Sequence, residues 1–238
     1  MTPALRIISS MATKQLLADL IDLYQKTTQR QPSTASHAQE IALESVGGVD
    51  AAKRVHAGEA FDIVALASNA IDQLMAAGKV VPGSRVDIVN SGVAVAVRTG
   101  SAHPDISTEA AVKHAVLSAP TLGYSTGPSG VQLAKLFERW GIAEQIQSRI
   151  VTAPPGVPVG SLVAKGDVAL GFQQLSELVN QPGIDVLGPL PPAIQITTTF
   201  CAGLAATSTQ PEAVRALLAF FASPATVDMK RRNGMEAV

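Results

Sequence analysis

The chain has a single cysteine, Cys201, among its 238 residues, so no disulfide can close within it. Cys201 lies in a strand-like run with no histidine nearby, which predicts a buried, inert thiol rather than a nucleophile. Long apolar runs are also missing: none reaches the roughly 18 residues that a membrane span needs. Neither sign of charge dominates, since 18 Lys and Arg stand against 19 Asp and Glu. A nucleic-acid partner or an anionic membrane surface would require clustered positive charge, so neither is expected. The one basic run, Lys230-Arg231-Arg232, suits a solvated helix end. The histidines, 37, 56, 103 and 114, are scattered. No His, Cys, Asp and Glu grouping has metal-ligand spacing, so no metal is expected. No G-x-G-x-x-G follows a strand and no G-x-x-x-x-G-K-[ST] occurs, which excludes dinucleotide and P-loop sites and leaves no cofactor to expect. The stretch GPSG at 127–130 lacks the flanks of a nucleophile elbow. The opening MTPALRIISS has no basic n-region, apolar h-region or cleavage site. It reads as a cytoplasmic protein, or as a periplasmic one whose leader has been removed.

What the chain does have is alternation. Buried-strand patterns at 5–9, 41–45 and 61–67 alternate with helical spacing at 11–28, 49–57 and 69–77. This βαβαβα order implies a parallel sheet with right-handed crossovers. A strand at 92–97 follows. A second block then alternates helices at 109–117, 131–140, 159–165 and 175–179 with strands at 121–124, 150–153, 169–173 and 185–187. A proline-rich connection, GPLPPA, leads to a strand at 194–204 and a closing helix at 211–222, with Pro at its first position. The expected fold is α/β, with two Rossmann-like lobes of parallel-rich sheets joined by two crossing strands. Lobe one takes residues 1–92 and 196–238. Lobe two, residues 93–195, is inserted, with a ligand cleft between them.

In open α/β sheets, ligands lie beyond the carboxyl ends of the strands, at helix N-termini whose free N–H groups favour anions. The strand-to-helix junctions therefore nominate ligand-binding residues. In lobe one these are Ser9, Ser10, Met11, Gly47, Gly48, Ser68 and Asn69. In lobe two they are Ser125, Thr126, Ser129, Gly130, Val159, Gly160 and Gln173. Nearly all are small, uncharged and rich in donors. The competing explanation is capping, because Ser and Asn stabilise helix starts without any ligand. Charged groups near the junctions are few. Glu44 and Tyr124 are the candidates for acid or base work, and Lys14 and Arg98 could pair with a ligand carboxylate.

Several segments, in order, resemble the type II periplasmic binding proteins, in particular the molybdate-binding-protein-like group. They are GEAFDIVALASNAIDQLMAAGKV, YSTGPSGVQLAKLFERWGI, VPVGSLVAKGDVALGFQQLSEL, PEAVRALLAFFASPAT and NGMEAV. The resemblance covers nearly the whole chain. It implies binding of a small oxyanion or carboxylate between two lobes, and an ABC permease as partner for a secreted form. Departures from the molybdate pattern, among them ISSM at the opening and FQQLS at 172–176, resemble a subgroup that includes aconitate isomerase. That likeness implies an alternative: a cofactor-free isomerase of a small unsaturated di- or tricarboxylate, acting by proton transfer in the same cleft.

Overall fold

The structure, a computed structural model, describes residues 4–29, 40–154 and 156–238; His37 and the first three residues lie outside these. The chain divides into two compact units, residues 1–90 with 199–238, and residues 91–198. These limits fall two and three residues from the boundaries read in the sequence. Both fall inside continuous strands, where composition gives no punctuation.

The first unit opens with β1, Leu5–Ser10, and a 3-10 turn at Met11–Thr13 that runs into α1, Lys14–Gln29. Then come β2 (Ile41–Val46), α2 (Gly48–His56), β3 (Ile63–Ala67) and α3 (Ser68–Ala76). β1 pairs in parallel with β2 and with β3, as the βαβ order requires. Successive residues of β1 point to opposite faces. Ile7 packs in a core with Leu16, Leu20 and Leu217, while Ile8 packs with Val55, Ile71 and Leu74. Both faces of the sheet are thus covered by helices, which is why β3 reads as an unbroken apolar run.

The strand β4, Val86–Arg98, begins six residues before the expected start and carries the chain from the first unit into the second. Then follow α4 (Glu109–Ser118), β5 (Leu122–Ser125), α5 (Pro128–Arg139) and the single turn α6 (Ala143–Ile146). After these come β6 (Ile150–Ala153), α7 (Val159–Lys165), β7 (Leu170–Gln174), α8 (Leu175–Leu178) and β8 (Ile184–Pro189). β5 pairs in parallel with β6 and β7, and β4 runs antiparallel to β7 and β8. Phe137 is fully buried on α5, its ring 6.1 Å from that of Tyr124 and 6.2 Å from that of Phe172. Burying one such side chain is worth about 1.5–3 kcal/mol.

The chain returns to the first unit through β9, Thr197–Leu204, antiparallel to β3. A strand spanning 194–204 was expected, but Pro192–Ile194 forms a 3-10 turn instead. Pro191 and Pro192 lack N–H donors and have fixed φ, so they suit a turn better than a ladder. α9 (Pro211–Phe221), α10 (Val227–Arg232) and β10 (Glu236–Ala237), which pairs with β4, complete the unit. The basic run does end α10, but Lys230 is buried, and that burial lowers its pKa. Cys201 is buried as expected. Its thiol donates to Asp87 Oδ1 at 2.9 Å and is pushed up to about 12, chiefly by desolvation.

Candidate functional site

Six helical segments start directly beyond a parallel strand. In the first unit they follow β1, β2 and β3, and in the second β5, β6 and β7. Each start leaves N–H groups with no partner inside the helix and a positive partial charge. Capping is the ordinary remedy, and this chain uses it at α4, where Thr108 Oγ1 accepts from the Ala111 N–H at 3.1 Å. At the six junctions, as at α6, α9 and α10, it does not. The N-cap residues Ser10, Gly47, Ala67, Gly127, Pro158 and Gln174 make no side-chain capping bond among the described residues. Ser68 and Asn69 lie inside α3 rather than ahead of it, so neither is its cap.

In the first unit the hydroxyls satisfy one another. Ser9 Oγ lies 2.7 Å from Ser45 Oγ, and Thr13 Oγ1 donates to the Ser10 carbonyl at 3.3 Å. Gly48 stands beside Ser10: a Cβ on it would meet Ser10 Cβ at 3.6 Å, an ordinary contact. Met11 and Gly47 are half-buried beside them, and Asn69 is exposed. Glu44 is occupied elsewhere. It forms a two-point ion pair with Arg54, whose second contact is 3.0 Å, and this hydrogen bonding holds its carboxyl below the usual range. That makes it a poor base. Lys14 and Arg98 are both exposed.

In the second unit Ser125 Oγ accepts from the Gly127 N–H at 3.4 Å, closing the loop before α5. A Cβ on Gly130 would fall 1.7 Å from the Ser125 carbonyl oxygen, so the backbones meet there only because residue 130 is glycine. Ser129 is buried beside it and Thr126 is exposed. Tyr124 is half-buried, and desolvation raises its pKa, which keeps the phenol neutral and able to donate. The Val159 side chain belongs to the core with Val163 and Val168, so only its backbone is available. The Gly160 N–H donates to Gln173 Oε1 at 3.3 Å, and Gln173 Nε2 donates to Glu177 Oε1 at 2.8 Å.

Sequence reasoning passed over Glu177, although its spacing of four from Gln173, across the strand-to-helix turn, could have marked it. Its carboxyl is pushed up to about 7 by burial, against a smaller opposing effect of the Gln173 amide. Three polar atoms of this region, Ser91 Oγ, Gln174 Oε1 and Ser176 Oγ, are sealed from solvent and lack a hydrogen-bond partner among the described residues. Val93 pairs with Gln174, so Ser91, two residues along β4, shares Gln174's face of the sheet. Leaving such a group unpaired costs about 1–3 kcal/mol, which calls for an explanation.

A family model for bacterial extracellular solute-binding proteins matches residues 5–236. The chain belongs to that family. This solute-binding protein is 35% identical over 237 residues to a protein of Pseudomonas sp named aconitate isomerase, across 98% of its own length and 88% of the relative's. Its fold is that of the Azotobacter vinelandii periplasmic molybdate-binding protein, with a TM-score of 0.77 at 18% identity over 97% and 98% of the two chains. The sulfate-binding protein SubI of Mycobacterium tuberculosis matches with a TM-score of 0.76 at 16% identity, over 100% and 88%. At these identities the likeness is one of fold: α/β, with the parallel-rich sheet of type II periplasmic binding proteins. Among the described residues of this solute-binding protein, no helix is long and apolar enough to cross a membrane. Nor does any cluster of His, Cys, Asp and Glu among them have the makings of a metal site.

Proposed function

We propose that the chain binds a small carboxylate or oxyanion at helix starts beyond the carboxyl ends of its parallel strands. The observation that carries this reading is the recurrence, in each unit, of helix starts that follow parallel strands and have no N-cap side-chain bond. Free N–H groups with positive partial charge at strand ends are suited to anions without any lysine or arginine. The family supports it, as do the molybdate- and sulfate-binding structures that share the fold. The test is calorimetric titration with molybdate, tungstate, sulfate, cis-aconitate and trans-aconitate. Saturable binding of at least one is expected, and no binding of any would overturn the reading. An ABC permease is the partner the family implies for an exported form, and co-purification from membranes would test it.

A second reading, isomerase action on an unsaturated tricarboxylate, is favoured by the 35% identity to a protein of that name. The chemistry would be a 1,3-shift of one proton. A base takes H⁺ from the methylene carbon beside a carboxylate, and the C–H electron pair becomes the new C=C bond. The former π pair moves toward the carboxylate-bearing carbon, and that carbon receives the proton back. Nothing is oxidised or reduced. Uncapped N–H groups would stabilise the dienolate charge between the two transfers. Incubation with trans-aconitate, followed by chromatography, should show cis-aconitate accumulating. Tight binding with no interconversion would leave binding alone.

A further inference from the structure

We infer that Glu177, held by Gln173 beside the first turn of α7, is the group that takes up and returns the proton in this reaction, and this rests on the isomerase reading. The argument begins with placement. Glu177 lies on the single turn α8, which starts directly from the carboxyl end of β7. Its Oε1 accepts from Gln173 Nε2 at 2.8 Å, and the other end of that amide accepts from the Gly160 N–H at 3.3 Å. One side chain therefore spans from the carboxyl to the α7 start. A proton carrier held in one orientation by a neighbouring amide is what an allylic proton shift needs.

The second argument is what Glu177 lacks. Desolvated carboxylates in folded proteins are normally matched by a cation or by several donors. Elsewhere in this chain they are: buried Asp62 accepts from the Arg6 N–H at 2.8 Å and from Ser208 Oγ at 2.6 Å, and even more exposed carboxylates are partnered. Glu44 has Arg54, Asp87 has Arg85 and the Cys201 thiol, Glu109 has Arg139 and the Trp140 indole, and Asp185 has His103 and Thr99. Those partners lower the acid pKa of each. Glu177 has one neutral amide, and no ion pair to it forms among the described residues. A carboxyl left in this condition contributes little to the fold and suits proton exchange near neutral pH. The residue is half-buried and lies just past the carboxyl end of β7, the end of an open α/β sheet where ligands bind. Atoms and charge balance: the carboxylate becomes the acid when the methylene C–H breaks, and is restored when the new C–H forms.

The experiment compares the full-length protein with Glu177→Gln and Glu177→Asp. Each is incubated with trans-aconitate in D₂O and followed by proton NMR for loss of the carbon-bound signals and for cis-aconitate. Binding is followed in parallel by calorimetry, and folding by the thermal melt. Glu177→Gln should lose about 10²–10⁴-fold in exchange and turnover, while its melt stays cooperative and its affinity for trans-aconitate changes less than about threefold. Glu177→Asp, which keeps the carboxyl but withdraws it by one methylene, should retain a measurable fraction. Exchange by Glu177→Gln at the wild-type rate would overturn the assignment and leave the isomerase reading standing. Binding without exchange by the wild type would overturn both.

Discussion

The two units present the same backbone device and differ in what surrounds it. In the first, the side chains near the helix starts satisfy each other: Ser9 meets Ser45, Thr13 meets the Ser10 carbonyl, and Glu44 is spent on Arg54. In the second they are left wanting. Among the described residues, Gln174, Ser91 and Ser176 hold unpartnered atoms and Glu177 has no cation. On the binding proposed above, the first unit would offer backbone donors alone. The second is where the identity of the ligand, and any chemistry done to it, would be decided.

The sharpest way to break that contrast is a pair of glycines. Gly130→Ala drives a methyl into the Ser125 carbonyl and should destabilise the protein by roughly 3 kcal/mol. Gly48→Ala meets only an ordinary contact with Ser10 and should change stability by less than about 1 kcal/mol. Urea unfolding of the two variants checks this, and equal losses would remove the distinction. Next in size is ligand binding. Ser176→Ala removes an unpartnered hydroxyl able to donate, and should weaken the binding of a responsive anion about tenfold, or about 1.4 kcal/mol. Ser45→Ala in the first unit should weaken it less. Titration calorimetry ranks the two.

A subtler difference lies in pH. Glu44 has a lowered pKa, so its contribution to stability is present above the ordinary carboxyl value and is lost as pH falls through the folded one. Glu177 has the opposite sign. Its stability is full below 4.5 and declines as pH rises through about 7, because the folded state holds the extra proton in that window. Glu177→Gln should therefore raise the melting temperature more at pH 8 than at pH 5, and Glu44→Gln should flatten only the acid side. Thermal melts across pH 3–9 check both. The smallest effect is expected at Cys201→Ser, which keeps the donor to Asp87 and should shift the melt by only a degree or two.

The fold was legible because apolar periodicity and glycine stops report on local structure directly. The strand FDIVALA and the helix read at 131–140, which the structure starts at Pro128, needed no tertiary information. Reading failed where neighbours decide: β4 starts at Val86 within an unremarkable run, and Lys230 is buried by packing that no basic triplet advertises. The strand-to-helix loops were legible from strand order, but whether their hydroxyls cap helices depends on dihedral angles and side-chain aim. Sequence left that balance open between caps and ligand donors. Glu177 was missed for the same reason, since its altered acidity comes from burial and not from its neighbours in the chain.

Backbone donors have one consequence for inheritance. A serine hydroxyl or a lysine can vanish in a single codon change, but an N–H group disappears only when the position becomes proline. The attraction for negative charge is therefore nearly immune to drift, while the amides and the carboxyl at the end of β7 remain free to vary. A lineage built this way can exchange one guest for another, or acquire turnover, by rewriting a handful of positions without re-evolving its hold on anions.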